Sequence, residues 1–181
     1  MSNQLGKESS CLLIIDLQEK ILTPITSKEC ILKNTKKLIS TFKVFKNNIL
    51  FTEQNPLKLG SCKDSVIDVI KVQTTYKKMT FSCFENKDLI RAINGSKNII
   101  MAGIESHICI QQSAMDLISN GNKIYIAEDA IGSRNERDHK TAIKRMEKEG
   151  AIISSTESII FEICKTANRS EFKSIINLIK S

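Results

Sequence analysis

The sequence predicts a three-layer α/β fold, in which helices cover both faces of a doubly wound, mostly parallel sheet of six strands. Short runs rich in β-branched residues alternate along the chain with longer segments whose apolar residues recur at helical spacing. Strand runs such as LLIID and KNIIM are apolar at successive positions. That pattern is typical of central strands buried on both faces. Alternating strands and helices therefore imply parallel strands joined by right-handed crossovers.

The individual elements follow from these patterns in chain order. Strands are predicted at residues 11–16, 48–52, 98–103, 123–128 and 151–154, with a weaker candidate at 69–73. Gly121 and Gly150 each follow a helical pattern, as expected for left-handed caps. The helical patterns pass through Ile31, Leu32, Leu38, Ile39, Phe42 and Phe45, through Ala142, Ile143 and Met146, and through Phe172, Ile175, Ile176 and Ile179.

Length and composition predict a single domain over residues 1–181. With 41% hydrophobic residues, a chain of 181 residues can bury a core without disulfides or metals. The polar start of the chain and the lack of any apolar run of about 18 residues predict a soluble, cytoplasmic protein. Its six cysteines are spread singly without a CxxC pair, so free thiols are expected.

The net charge has two interpretations. A formal charge of +7 and a pI near 9.1 are compatible with a nucleic-acid or membrane partner. The lysines are scattered over amphipathic segments, however, and only 5% of residues are aromatic. Solvated helix faces are the favoured explanation, so we expect neither nucleic acid nor a membrane as partner.

Chemistry-bearing residues gather at the carboxyl ends of the predicted strands, where ligands bind in sheets of this kind. Lys78 lies in the segment KKMTFSCF, ahead of a helix predicted to begin near residue 85 or 86, and Cys109 lies in the first turn of a helix predicted at 107–120. The other strand-end candidates are Asp16, Gln18, Glu53, Gln54 and the run 103–109.

A carboxylate, an ammonium and a thiol in one crevice can make a nucleophile. A free thiol has a pKa near 8.5, and only the thiolate attacks efficiently. We expect Asp16 to accept the proton, while Lys78 and the positive end of the helix favour the ionised sulfur of Cys109. Each residue alone has a simpler explanation: an Asp at a strand end often caps a helix, and most cysteines are core residues.

Four segments in order resemble one known family. CLLIIDLQEK resembles an LLxIDxQ motif, FTEQNPLKLG is similar to TEQxPxxLG, KMTFSCF resembles KxxFS, and MAGIESHICIQQSAMDLISNG resembles GxExHxCIQQTAxxLxxxG. These motifs belong to the isochorismatase-like hydrolases, and to their branch of isochorismatase domain-containing proteins. The resemblance extends over nearly the whole chain.

This resemblance implies a Rossmann-like fold and a catalytic set of Asp16, Lys78 and Cys109. It further implies an oxyanion hole made by the backbone amides of Glu105 and Cys109, and a non-proline cis peptide between residues 104 and 105. Relatives of this kind commonly form dimers or larger homo-oligomers. No cofactor is implied.

Departures from the wider superfamily narrow the chemistry. Nicotinamidase-type members hold a metal with an aspartate and histidines after the second strand, but TEQNPLKLG contains no histidine. Of the chain's two histidines, His139 shares a helical face with core positions, and His107 either shapes the pocket or packs at the helix start. A metal-dependent nicotinamidase is therefore disfavoured. Isochorismatase proper does not use the cysteine, so Cys109 favours an amide-like or ester-like substrate and a thioester intermediate.

Three function classes remain open. The first is a metal-independent cysteine hydrolase acting on a small molecule, the second is a catalytically silent ligand-binding or scaffolding member of the same fold, and the third is a basic nucleic-acid-associated protein. The first is favoured, because the complete Asp, Lys and Cys set is present. Candidate substrate-binding residues are Gln18, Glu53, Gln54, Phe81, Phe84 and His107, although both phenylalanines are equally suited to the core.

Overall fold

The computed structural model describes residue 5, residues 9–62 and residues 75–180. Six parallel strands in the order β3-β2-β1-β4-β5-β6 form one sheet, which confirms the predicted fold class. The third strand of the sheet is Thr75–Lys78, and the weaker candidate at 69–73 lies outside the described residues. The strands are β1 (Ser10–Ile15), β2 (Asn48–Gln54), β3 (Thr75–Lys78), β4 (Asn98–Ile104), β5 (Lys123–Gly132) and β6 (Ile152–Ser154).

Helices connect these strands. Asn86, Asn135 and Ser155 cap three of them by accepting backbone N–H groups of the first turn, as short polar side chains do at helix starts. A π-helical turn, Ser106–Ile110, separates β4 from the following α-helix. The α-helices are α1 (Glu19–Leu22), α2 (Lys28–Val44), α3 (Pro56–Leu59), α4 (Lys87–Ile93), α5 (Gln111–Ser119), α6 (Glu136–Lys148), α7 (Thr156–Cys164) and α8 (Phe172–Lys180).

The core forms two apolar clusters, one on each face of the sheet. Helices α2, α7 and α8 pack on one face, and α4, α5 and α6 pack on the other. Within β1, Leu12 and Ile14 join the first cluster, whereas Leu13 and Ile15 join the second. Alternating side chains therefore enter a core on both faces, which explains the continuous apolar run of this strand.

The order of the strands reverses next to β1. From β1 the chain runs outward to β2 and β3, and then crosses back to place β4 on the other side of β1. Such a switch point opens a crevice at the carboxyl ends of the two strands. Gly103 pairs with Ile15 there at φ 117, and a Cβ at this position would lie 2.0 Å from the Ile15 carbonyl oxygen. Only glycine permits this approach.

The state of the cysteines and the character of the helices complete the description of the fold. All six cysteines are free thiols, as predicted. Among the described helices, none has the length and apolar character that crossing a membrane requires.

Candidate active site

Asp16 follows β1 directly and is fully buried at the switch point. Its backbone adopts φ 52, a left-handed conformation that Asp tolerates better than most residues. One carboxylate oxygen, Oδ1, accepts a hydrogen bond of 2.7 Å from the Thr52 hydroxyl. The other, Oδ2, lies 2.6 Å from the ammonium of Lys78. Both carboxylate oxygens are therefore held in fixed positions.

Lys78 is the last residue of β3, and its side chain is only 2% exposed. Besides Asp16, its ammonium donates to Gln54 Oε1 at 2.8 Å and to the Phe81 carbonyl oxygen at 3.1 Å. A third neutral acceptor, the Thr80 carbonyl oxygen, lies at 3.4 Å. A buried ammonium is costly unless it is paired and hydrogen-bonded, and here an anion and three neutral acceptors surround it. These contacts fix the positive charge beside the carboxylate.

Cys109 lies in the π-helical turn after β4 and is 6% exposed. Its thiol lies close enough to the Asp16 carboxylate and the Lys78 ammonium for both charges to shift its pKa. The structure thus brings together the three residues that the sequence singled out, from the ends of β1, β3 and β4. π-helical turns of this kind are frequent at functional sites.

The protonation state of Cys109 differs from the sequence-based expectation. Burial, followed by the negative charge of Asp16, raises the pKa of the thiol to about 12, and the opposing effect of Lys78 is smaller. We expected a thiolate at neutral pH, because the two cationic influences were visible in the sequence and the depth of burial was not. A thiol with so high a pKa is protonated at neutral pH, so ionisation has to accompany attack.

Backbone geometry and backbone hydrogen bonds define the segment that leads from β4 to Cys109. The peptide bond between Ile104 and Glu105 is cis. The Glu105 carbonyl oxygen accepts hydrogen bonds from Ile108 N at 3.1 Å and Ile110 N at 3.2 Å, which closes the π-helical turn. Glu105 therefore caps the turn that contains Cys109, and the resemblance implies that the amides of these two residues form an oxyanion hole.

Side chains also tie this segment to the start of α6. The ring Nδ1 of His107 is hydrogen-bonded to the Ser133 hydroxyl at 2.9 Å, and the Ser106 hydroxyl is hydrogen-bonded to His139 Nδ1 at the same distance. Burial lowers the pKa of His139, which favours the neutral ring. Both histidines thus hold the residues that precede Cys109.

Side chains at the end of β2 alternate between facing Asp16 and Lys78 and facing away from them. Thr52 and Gln54 reach Asp16 and Lys78, whereas the Glu53 carboxylate binds Cys62 N at 2.9 Å and the Thr75 hydroxyl at 3.2 Å. Glu53 is therefore outside the cluster, because neighbouring residues of a strand face opposite ways. Sequence reasoning missed Thr52, although its position two residues before Gln54 carried the signal.

The other residues that the sequence suggested lie around the site and not within the Asp16–Lys78 pair. Gln18 is buried, and its side chain donates to the Gln54 carbonyl oxygen at 3.0 Å and accepts from Gln54 N at 2.7 Å. It also donates to the Gly60 carbonyl oxygen, so Gln18 links the end of β2 to the residue that follows α3. Phe81 is 53% exposed at this end of the sheet, and Phe84 packs against the core on the α4 side.

No group of three or more His, Cys, Asp or Glu side chains within the described ranges is arranged to hold a metal ion. The functional groups assembled here are instead a proton acceptor, a fixed positive charge and a thiol. Such a cluster can transfer the thiol proton to the carboxylate as sulfur attacks an electrophile, with the ammonium beside both groups.

Comparisons with known proteins find similarity to isochorismatase proteins. A family model described as "Isochorismatase domain" matches residues 10–158. The chain is 33% identical to Isochorismatase family protein 1B of Dictyostelium discoideum over 99% of this chain and 92% of that protein. It is 28% identical to Isochorismatase domain-containing protein 2 of Xenopus laevis, over 97% of this chain and 86% of the relative.

Solved structures include one that is similar over almost the full length. The MAR1 ribonuclease from Caenorhabditis elegans superposes with a TM-score of 0.94 and 28% sequence identity. The similarity covers 98% of this chain and 93% of the other. The whole described architecture is therefore shared with an experimentally determined fold.

Proposed function

Because the chain belongs to the isochorismatase family, and within it to the isochorismatase domain-containing proteins, we propose that it is a hydrolase with Cys109 as nucleophile. One observation carries this proposal. The Cys109 thiol is close enough to the buried Asp16–Lys78 ion pair, at the switch point of the sheet, for both charges to shift its pKa. A nucleophile next to a potential base, which a third group holds in position, is the usual arrangement for covalent catalysis.

The first half-reaction begins with a proton transfer. Asp16 accepts the thiol proton while the sulfur of Cys109 attacks the substrate carbonyl carbon, and the backbone amides of Glu105 and Cys109 bind the resulting oxyanion. Lys78 stabilises the negative charge as it moves from carboxylate to sulfur. The raised pKa of the thiol supports this sequence, because a protonated thiol needs a base at the moment of attack.

Loss of the leaving group completes the first half-reaction, and hydrolysis then restores the enzyme. Asp16 gives its proton to the leaving nitrogen or oxygen as the bond to the acyl carbon breaks, which leaves a thioester on Cys109. Water then attacks the thioester, Asp16 accepts a proton from that water, and Asp16 returns this proton to the departing sulfur, which restores the thiol and the carboxylate. The products are a carboxylic acid and an amine or alcohol.

The proposed substrate is a small amide-like, ester-like or related molecule. Gln54 and Phe81 are the best-placed of the candidate lining residues, because they contact Lys78 through a side chain and a backbone carbonyl respectively. We propose no metal and no cofactor, since the segment after β2 lacks the histidines of the metal-dependent members.

The setting of the enzyme completes the proposal. We propose one domain over residues 1–181, a cytoplasmic location and a homo-oligomer. Six free thiols fit a reducing compartment. Three large apolar side chains, Leu57, Met79 and Phe81, are exposed near the carboxyl end of the sheet, and such side chains are often covered by a second subunit.

A second candidate function is a catalytically silent member that binds a ligand or acts as a scaffold. The observation that favours it is the raised pKa of Cys109, because a thiol that stays neutral at neutral pH is a poor nucleophile by itself. The two candidates differ in one measurable product, the acylated cysteine.

The test is a screen of small amides, esters and imidic compounds, with an RNA oligonucleotide added because of the similarity to a ribonuclease. Wild type is compared with Cys109→Ala and with Cys83→Ala, a buried thiol of the same core cluster. We expect turnover by wild type and Cys83→Ala, background rates for Cys109→Ala, and an acyl adduct on Cys109 by mass spectrometry. Turnover by folded Cys109→Ala would refute the nucleophile, and binding without any adduct would favour the silent candidate.

A further inference from the structure

Helices α2 and α8 carry most of the net charge of the chain. Helix α2 contains five lysines and one acidic residue, Glu29, and α8 contains two lysines and no acidic residue. Together they hold seven lysines against one carboxylate, a net charge of +6, whereas the whole chain has +7. The remainder of the protein is therefore close to neutral.

The fold places these two distant segments side by side. Helices α2 and α8 pack on the same face of the sheet, and the Lys37 ammonium donates to the Ile179 carbonyl oxygen at 2.9 Å. A groove of about 220 Å³ lies between the helices, lined by Lys33, Lys36, Lys37, Ser40 and Leu178. We call this feature the α2–α8 groove.

The charges in the α2–α8 groove are not neutralised locally. Lys33 and Lys36 form no ion pair with any residue in the described parts of the chain. Their spacing with Lys37 is i, i+3 and i+4, so the three ammonium groups lie on one side of α2. On the neighbouring helix α7, the Glu162 carboxylate accepts a hydrogen bond from Leu5 N.

We propose that the α2–α8 groove binds single-stranded nucleic acid through its phosphates. Lysine–phosphate contacts supply sequence-independent affinity for a polyanion. The Ser40 hydroxyl adds a hydrogen-bond donor in the same groove. This proposal replaces the sequence-based expectation of no nucleic-acid partner, because the fold sets three lysines of α2 in a groove beside Leu178 of α8.

A single strand fits this groove better than a lipid surface does. The site is concave, and a flat membrane cannot fill it. Membrane-binding faces also insert apolar side chains. The large apolar side chains that are exposed in the described structure, Leu57, Met79, Phe81 and Phe161, belong to neither α2 nor α8.

The expected affinity is modest and steeply dependent on salt. No exposed large aromatic side chain of the described structure lies on α2 or α8, so base stacking does not contribute there. Three lysines that each neutralise a phosphate of a single strand give a slope of about −2 for log K against log salt. Raising KCl fourfold should then weaken binding by roughly 20-fold.

The test is fluorescence anisotropy with a fluorescein-labelled 15-mer of uridylate, at 50 and 200 mM KCl. Lys33→Glu/Lys36→Glu is compared with Lys87→Glu/Lys144→Glu, which reverses two exposed lysines of α4 and α6 on the opposite face of the sheet. Both variants lower the formal charge from +7 to +3. We expect the groove variant to bind at least tenfold more weakly than wild type, and the control to stay within about threefold.

Several results would overturn the proposal. Equal losses of affinity in both variants would mean that net charge alone attracts the strand. If wild type does not bind the oligonucleotide at 50 mM KCl, the groove is not a nucleic-acid site. Binding to phosphatidylserine vesicles without binding to the oligonucleotide would assign the groove to membranes. Circular dichroism checks folding; if the charge-reversed variant fails to fold, Lys33→Gln/Lys36→Gln against Lys87→Gln/Lys144→Gln replaces the pair. Cys109→Ala should bind the strand unchanged, which separates this test from that of the hydrolase.

Discussion

Lysine occurs in two contrasting environments in this molecule. Lys78 is buried, and Asp16, Gln54 and the Phe81 carbonyl surround its ammonium. Lys33 and Lys36 lie on α2 without an ionic partner in the described structure. The same side chain is thus a fixed member of a small cluster in one place and an available charge in the other.

The difference shows how burial changes the use of a charge. In a buried site, each charge must be matched by specific partners, so removing one partner leaves another stranded at high cost. On the surface, water and salt screen each charge, and several lysines act together by adding to a local potential. The proposed catalytic role of Lys78 therefore depends on the geometry of its partners, whereas the proposed binding by the α2–α8 groove depends on the number of lysines.

The largest effect is expected from Asp16→Asn. Loss of the base should lower kcat/KM by about 10²–10⁴-fold on a substrate found in the screen. The same change removes the negative charge that raises the pKa of Cys109, so that pKa falls and the thiolate fraction at pH 8 rises. Iodoacetamide should then alkylate Cys109 faster in the variant than in wild type, as followed by mass spectrometry. Slower alkylation in a folded variant would contradict the assigned geometry.

Lys78→Met tests the buried pair by its stability. Removing the ammonium leaves the Asp16 carboxylate buried without a counter-ion, and breaking such a pair costs about 3–5 kcal/mol. Lys33→Met is the matched surface control, with an expected change within about 0.5 kcal/mol. Urea unfolding of both variants measures the difference. Similar free energies of unfolding would mean that Lys78 is not held as described.

Gly103→Ala tests the close approach that positions Asp16. At φ 117 and with the Ile15 carbonyl oxygen 2.0 Å from the new Cβ, strands β1 and β4 must separate locally. We expect a loss of about 3 kcal/mol, from backbone strain and disturbed pairing. Gly121→Ala, at φ 87 with open space around it, should lose only about 1 kcal/mol. Thermal unfolding compares the two, and equal losses would argue against the contact.

The smallest effect is expected at an exposed ion pair. The ammonium of Lys140 lies 2.6 Å from Glu136 Oε1, one helical turn away, and both side chains are mostly exposed. Exposed pairs contribute little, because water and ions screen them. Lys140→Ala should leave the urea midpoint unchanged within error, in contrast with Lys78→Met. A clear shift of the urea midpoint would show that this exposed ion pair stabilises the folded chain more than solvent screening allows.

Much of the fold was predictable because its signals are local. The strand at residues 98–103 was predicted from a run of apolar residues, and the structure extends it by one residue to Ile104. The helix expected near residue 85 or 86 begins at Lys87, with Asn86 as its cap. The short edge strand Thr75–Lys78 was not identified, because four residues with one largely apolar side chain, Tyr76, are too few to show a periodicity.

The site was predictable in part for a different reason. Asp16, Lys78 and Cys109 stand in recognisable motifs, so their convergence could be anticipated. Thr52 and Ser133, which hold Asp16 and His107, have no such motif, and their roles come only from the register of β2 and the path after β5. The pKa of Cys109 was misjudged because burial, its largest determinant, is a tertiary property.

The amino-acid sequence by itself determined the alternation of strands and helices, the free thiols and the motifs that contain Asp16, Lys78 and Cys109, because these depend on neighbours along the chain. Tertiary structure alone decided how deeply Cys109 is buried, which side of β2 faces Asp16, and that the lysines of α2 share one groove with Leu178, about 140 residues further along the chain. Desolvation and charge density depend on distances in space, and those distances exist only after folding.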